Sequence, residues 1–250
     1  MIFATARSPL IGAHRGASGQ APENTMAAFD LAVAQGAELI ECDVHCTMDG
    51  QLVVHHDFTL ARTAQQNLEI GRLTMRELLR MDVGAWRGAG WTGQRIPTLD
   101  EVLDRYGARV FLNVEIKVDT RPYPGIEEAV VGAIRERQLA QRVIVSSFNG
   151  ETVARLRAID PMLCTGLLSD DRPEASLERA CQLGANALHL EAGLITAPRL
   201  RQAHARGLGL LAWTVDDQVE MVRLVDLGVD AVVSNYPEQL RDVVLSRRRS

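Results

Sequence analysis

Glu41 and Asp43 stand two residues apart in Ile40-Glu41-Cys42-Asp43-Val44-His45. Side chains alternate along an extended strand, so Glu41, Asp43 and His45 share one face and Cys42 and Val44 the other. Two carboxylates side by side repel each other and are costly to bury. A hard divalent cation gives such a pair a purpose, because Mg2+ and Ca2+ take oxygen ligands. Paired acid and base carboxylates are the other chemistry that uses two acids. A solvated edge strand would need neither, but the flanks favour an interior strand: Ala37-Glu38-Leu39-Ile40 follows directly on Gly36, a helix stop.

A second pair has the same spacing. Glu115 and Lys117 close the apolar run that starts at Val110, which puts a third acid and a cation on one strand face. Three acids in one place suit a hard metal better than a glycosidase pair. Arg15 and Lys117 suit a phosphate, the first as a bidentate fork and the second as a point charge. His14 precedes Arg15-Gly16, and His56 precedes Asp57, which can orient its ring. Imidazoles titrate near neutrality and serve as general acids and bases. Carboxylates for a metal, cations for a phosphate and two imidazoles together spell phosphodiester cleavage. Other histidines have plainer uses. His55 faces away from its neighbour His56 and is structural, His45 lies beside the acids or in the following loop, and His204 belongs to a helix surface. His189 and Glu191 sit at a strand end and could line a pocket, and Trp213 serves as a wall against substrate or as packing.

These residues need a scaffold that gathers strand ends. Apolar runs near positions 10, 39, 111, 144, 165, 188, 210 and 232 read as strands, each followed by an amphipathic or capped helical segment. Three junctions repeat one pattern of helix stop and strand start: Gly36-Ala37-Glu38, Gly184-Ala185-Asn186 and Gly228-Val229-Asp230. Eight parallel βα units predict a closed TIM (β/α)8 barrel over 1–250 rather than an open sheet. No glycine-rich phosphate fingerprint follows the first strand, which also disfavours the open sheet. An extra strand around Leu52-Val53-Val54 opens a small inserted region, about 46–97, after the second strand. It holds one short helix, Thr74 to Met81, with a Thr74-x-x-Glu77 capping box, then a loop rich in Gly and Trp. Such a long excursion is suited to a lid, a cap or an interface, a homodimer included. In barrels of this kind the active site lies at the C-terminal strand ends. His14, Arg15, Glu41, Asp43, Glu115, Lys117, Ser147, Glu191, Trp213 and Asn235 all fall there.

Composition bounds the setting. The chain has 250 residues, 46% hydrophobic, and a net charge of −5, which does not point to nucleic acid. No apolar stretch of about 18 residues and no cleavable leader pattern appears, so the expectation is a soluble cytoplasmic protein without stable membrane insertion. Cys42, Cys46, Cys164 and Cys181 have neither a disulfide framework nor a zinc spacing. Arg247-Arg248-Arg249 and Ser250 read as a solvated, mobile tail.

At these residues the chain resembles the glycerophosphodiester phosphodiesterase family, bacterial cytoplasmic type. The motifs run in the family's order: His14-Arg15-Gly16, Pro22-Glu23-Asn24-Thr25, Glu41-Cys42-Asp43-Val44, Val53-Val54-His55-His56-Asp57, Arg95-Ile96-Pro97-Thr98-Leu99, Asn113-Val114-Glu115-Ile116-Lys117, Ser146-Ser147-Phe148 and Trp213-Thr214-Val215. The resemblance implies a barrel with an insertion after the second strand, and one divalent cation, Mg2+ or Ca2+, on Glu41, Asp43 and Glu115. It implies His14 and His56 as the acid/base pair, with Arg15 and Lys117 on the phosphate. Substrates would be glycerophosphodiesters such as glycerophosphocholine and glycerophosphoethanolamine, giving glycerol 3-phosphate and an alcohol. Glu23, Asn24, Asp57, Glu191 and Asn235 are candidate supports around this set. One departure concerns Asn235: in Ser234-Asn235-Tyr236-Pro237 it replaces the family's usual aspartate, which alters polarity near the last strand.

Two rivals share the scaffold. A lysophospholipase D-like enzyme would act on acylated phosphodiesters, with an apolar groove built from Leu60, Leu68, Leu73, Leu78, Leu79, Trp86 and Trp91. A silent phosphodiester-binding barrel would not need two histidines, and fold alone does not separate it from an enzyme.

Overall fold

A computed structural model describes residues 9–118 and 123–248. The first strand, β1 (Leu10–His14), pairs in parallel with β2 (Leu39–Cys46) on one side and β9 (Ala231–Ser234) on the other. Between them run β4 (Phe111–Ile116), β5 (Val143–Ser147), β6 (Cys164–Ser169), β7 (Ala187–Glu191) and β8 (Gly209–Trp213), each parallel to its neighbours. The β1–β2 pairing closes the sheet, so the molecule is a TIM barrel. A helix of eight residues or more follows each barrel strand: α1 (Met26–Ala34), α4 (Leu99–Tyr106), α5 (Ile126–Glu136), α6 (Gly150–Ile159), α7 (Pro173–Gln182), α8 (Ala197–Ala205), α9 (Gln218–Leu227) and α10 (Pro237–Arg248).

Strand parity sorts the core into layers. Ile40, Cys42 and Val44 of β2 and Leu112, Val114 and Ile116 of β4 pack outward against Leu99, Val102, Leu103, Val130 and Ile134 of the helices. On the other side of the barrel Leu188, Leu190, Leu210, Ala212 and Val232 meet Leu200, Met221, Leu224 and Leu240 in the same way. The opposite parity faces the barrel axis. At its N-terminal end that interior is apolar, with Leu10, Leu39, Ile144, Cys164, Ala187, Leu211 and Ala231 in one cluster. One pleat further along, the same inward positions become polar. Cys42 and Cys164 are buried and unpaired, in keeping with small apolar residues.

The excursion after β2 is built on β3 (Leu52–Val54), antiparallel to β2 with Val54 opposite Val44. It carries two four-residue helices, α2 (Ala61–Ala64) and α3 (Met75–Leu78). The capping box of Thr74 and Glu77 forms as expected, but α3 ends at Leu78 rather than Met81. A core of its own holds the region together, with Val53, Leu60, Ile70, Leu78, Val83 and Ile96 all buried. Leu60 and Leu78 are therefore structural and do not line an apolar groove. His55 is buried and tied to Thr63 Oγ1 at 2.8 Å and to the Asp57 carbonyl at 2.9 Å, a structural use. At the other end of the chain Arg247 pairs with Asp226, and Arg248 reaches Glu38 and the Pro9 carbonyl. Those two residues are thus anchored rather than a free tail, because the barrel's N-terminal rim offers carboxylates and a carbonyl within their reach. Arg249 and Ser250 lie outside the described residues.

Candidate active site

Register brings the polar residues together. His14 lies opposite Glu41, Glu41 opposite Asn113, and Asp43 opposite Glu115. A cavity of about 140 Å³ opens here, lined on one side by His14, Arg15, Glu41, His56, Glu115 and Lys117. Its other side is formed by Phe148, Leu168, His189, Leu211, Trp213 and Val233. Trp213 meets Phe148 edge to face at 5.5 Å and forms a wall of this cavity. Glu191 ends β7 but is absent from the cavity lining; its carboxylate turns back over Gly193.

Glu41, Asp43 and Glu115 are buried, and one carboxylate oxygen of each lies within 4.8 Å of the others. Asp43 holds the centre. Arg15 Nε stands 3.3 Å from one of its oxygens, Lys117 Nζ 3.4 Å from the other, and Asn24 Nδ2 donates to it at 2.8 Å. Burial opposes its charge, but the two cations outweigh burial and hold its carboxyl below the usual range. Glu41 is different: burial, then the charges of Asp43 and Glu115, push it well above the usual range. Glu115 is also raised, by burial and by Asp43, although Lys117 Nζ sits 2.7 Å away. Among the described residues, two cations therefore do not balance three buried acids. The unmet charge and the all-oxygen donor set fit a hard divalent cation, which would let all three ionise.

Local backbone explains the cradle. Arg15 adopts a left-handed conformation, φ 55°, which turns its N–H onto Glu41 Oε2 at 2.9 Å. Asn24, φ 54°, likewise folds its amide onto Asp43. Such conformations cost energy in non-glycine residues and cluster where function demands them. Gly16, φ 82°, completes the turn, and a Cβ there would stand 2.6 Å from the Ala28 backbone. Arg15 also donates to Glu23, and Glu23 in turn accepts from Arg62. Arg62 continues to Asp57, which holds His56 Nδ1 at 2.6 Å. Hydrogen bonding from His56, then Arg62, keeps the Asp57 carboxyl below its usual range.

The two histidines have unlike settings. His56 is backed by a carboxylate and is about 30% exposed. His14 Nδ1 meets the amide oxygen of Asn235 at 2.8 Å, and burial, then Arg15, push its pKa down to about 4. His14 is therefore a neutral imidazole near pH 7. Asn235 is in turn gripped by Asp216, a residue the sequence reading overlooked. Asp216 lies three residues past β8, so the rule of strand C-terminal ends would have found it. His45 does not join the acids' chemistry. Its ring bonds Tyr123 Oη at 3.0 Å and the His56 carbonyl at 3.1 Å, and so supports the segment that carries His56.

Comparison with known proteins identifies the family of the chain. The profile of the glycerophosphoryl diester phosphodiesterase family matches residues 14–239, from the end of β1 into α10. A glycerophosphodiester phosphodiesterase of Caldanaerobacter subterraneus subsp. tengcongensis is 39% identical over 236 residues, covering 94% of this chain and 97% of that protein. Among solved structures, an Oleispira antarctica phosphodiesterase in complex with the product sn-glycerol-3-phosphate is 34% identical, with a TM-score of 0.82 over 94% of this chain and 96% of that one. An Agrobacterium tumefaciens glycerophosphodiester phosphodiesterase aligns with a TM-score of 0.84 at 27% identity, over 94% and 99% of the two chains. The chain belongs to the glycerophosphoryl diester phosphodiesterase family and is a phosphoric diester hydrolase.

Proposed function

We propose that the protein hydrolyses glycerophosphodiesters such as glycerophosphocholine and glycerophosphoethanolamine to glycerol 3-phosphate and an alcohol, with a divalent cation and a two-histidine acid/base pair. One observation carries the reading. Asp43 is clamped between Arg15 and Lys117 with Glu41 and Glu115 beside it, and this cluster meets His14 and His56 at one small cavity. Glu41, Asp43 and Glu115 are the residues that would hold Mg2+ or Ca2+. An ion held there would supply positive charge to offset the negative charge of the phosphate.

The chain's own residues do the rest. Arg15 and Lys117 face the phosphate and offset the charge that grows on its oxygens. One imidazole takes the proton of the attacking hydroxyl, and the other gives a proton to the leaving alkoxide. The attacking group is the glycerol 2-hydroxyl: its oxygen bonds to phosphorus as the bond to the alcohol breaks, and water then opens the cyclic phosphate. Direct attack by water is the competing route. Asp57 orients His56 and would stabilise positive charge forming on its ring, the use a carboxylate has behind a catalytic histidine. Trp213 and Phe148 shape an apolar wall of the cavity, suited to the carbon skeleton of the substrate. Four unpaired cysteines are consistent with a reducing, cytoplasmic setting. Among the described residues no helix is long and apolar enough to cross a membrane.

The deciding assay is release of glycerol 3-phosphate from both substrates by metal-stripped protein, with Mg2+, Ca2+ or nothing returned. Cation-dependent release is expected. Release at full rate without any cation would remove the metal from the reading. Turnover confined to acylated substrates would favour the lysophospholipase D-like alternative, against which the burial of Leu60 and Leu78 weighs. Binding without turnover of either class would leave a silent phosphodiester-binding barrel.

A further inference from the structure

Asn235 is the partner of His14 Nδ1, and an amide is two-faced. With Oδ1 toward His14, the ring carries its hydrogen on Nδ1 and presents Nε2 as a lone pair. With Nδ2 toward His14, Nδ1 must accept, and Nε2 carries the hydrogen instead. Nε2 is the nitrogen with no hydrogen-bond partner among the described residues, and His14 lines the cavity. The orientation of one amide thus decides whether His14 can take a proton where substrate lies.

Ser18 does not make that choice. Its hydroxyl lies 2.6 Å from Asn235 Oδ1 and 2.7 Å from the His14 carbonyl. A hydroxyl has one hydrogen and can donate to only one of these two oxygens, so Ser18 by itself would suit the turned amide, whose Nδ2 could donate to it, and the present orientation is set elsewhere. Asp216 is different, because an ionised carboxylate only accepts. Its Oδ1 accepts from Ser234 Oγ at 3.0 Å and from the Asn235 backbone N–H at 2.9 Å, which fixes the carboxylate in place. Its Oδ2 lies 2.6 Å from Asn235 Nδ2. Turning the amide round would set two acceptor oxygens at that separation with no hydrogen between them.

We propose that Asp216 is a positioning residue that locks the Asn235 amide and thereby holds His14 in the Nδ1–H tautomer. The orienting carboxylate stands one side chain further from the ring than an aspartate at 235 would. It aligns His14 without placing a negative charge against it, in accord with the neutral ring described above. The proposal rests on His14 as a proton-handling residue, but the tautomer can be read without any turnover.

The test combines 15N NMR of histidine-labelled protein with kinetics on glycerophosphocholine. The His14 signals are identified by their loss in His14→Gln. Wild type should show a protonated Nδ1 and a bare Nε2. Asp216→Asn frees the amide to turn, and should shift His14 toward the Nε2–H form. It should also lower kcat by about 10- to 100-fold, the usual cost of losing an orienting partner, with KM changed far less. The exchange Asp216→Asn with Asn235→Asp restores an acceptor beside Nδ1 and a donor behind it. It should recover both the tautomer and most of kcat. An unaltered tautomer in folded Asp216→Asn, or an exchanged pair no better than the single variant, would overturn the proposal. If wild type releases no glycerol 3-phosphate, the functional reading fails while the tautomer result still stands on its own.

Discussion

His14 and His56 carry the same ring in opposite settings, one buried against an amide, the other part-exposed against a carboxylate. If both move protons in the reaction, neither can be spared. His14→Ala and His56→Ala should each cut turnover by at least ~100-fold, the ordinary scale of general acid/base catalysis, while the far-ultraviolet circular dichroism stays that of the folded barrel. Wild-type turnover in either variant would sink the assignment. A third histidine tests the electrostatics of the floor. His189 Nε2 is buried without a hydrogen-bond partner, and burial alone pushes the ring's pKa down to about 3. The unfolded chain binds a proton there near pH 6.5, whereas the folded protein does not until about pH 3. Stability is therefore lost as pH falls through that window, by on the order of 2 kcal/mol at pH 5. In His189→Leu the difference in urea-unfolding free energy between pH 7 and pH 5 should shrink by about 1–2 kcal/mol. An undiminished difference would show that the ring is solvated. At this scale residue types and spacings were legible, since Glu41, Asp43, Glu115, His14 and His56 stand out by type and spacing alone and are grouped in the fold. Asp216 was passed over although it follows β8, because an acid in a loop reads as solvated until its partner is known, and Asn235 read as a loss of charge for the same reason.

Elements convert spacing into position. β2 works because its parity is strict: Ile40, Cys42 and Val44 pack outward, and that packing leaves Glu41 and Asp43 no face but the interior. The region around β3 is a second, smaller packing problem. Its core residue Leu60 is fully buried. Leu60→Ala should cost about 2–4 kcal/mol of the stability of that region, the usual penalty for a buried leucine, and should loosen the segment that presents His56. Hydrogen exchange should quicken in residues 55–97 more than in the barrel strands. Uniform quickening would mean that the two cores unfold as one. Sequence periodicity found the barrel elements but misjudged this region, placing Leu60 and Leu78 on a groove and extending α3 to Met81. Short helices have weak patterns, and which side of an isolated leucine is covered depends on neighbours distant in the chain.

The whole molecule gathers a local excess of negative charge into one mouth of the barrel. Among the described residues three buried acids face two cations there, so a divalent ion should bind the folded protein and raise its stability by mass action. Millimolar Mg2+ or Ca2+ should raise the Tm of metal-stripped wild type by a few degrees, and should do so far less in Glu41→Gln or Glu115→Gln. Equal shifts in all three proteins would point to a site elsewhere. The order of strands and helices, the inward or outward parity of each strand residue, and the crowding of acids, cations and imidazoles at strand C-terminal ends were all determined by the sequence itself. Those features follow from periods of two and 3.6 residues and from local stops and caps. Only the tertiary structure decided that Asp216 grips Asn235 and that Asn235 meets His14, 221 residues away. It likewise decided that Asp43 takes both Arg15 and Lys117. The reason is physical: closing the barrel through the β1–β2 pairing brings together loops from strands far apart in sequence, and no local period encodes which side chain they will meet.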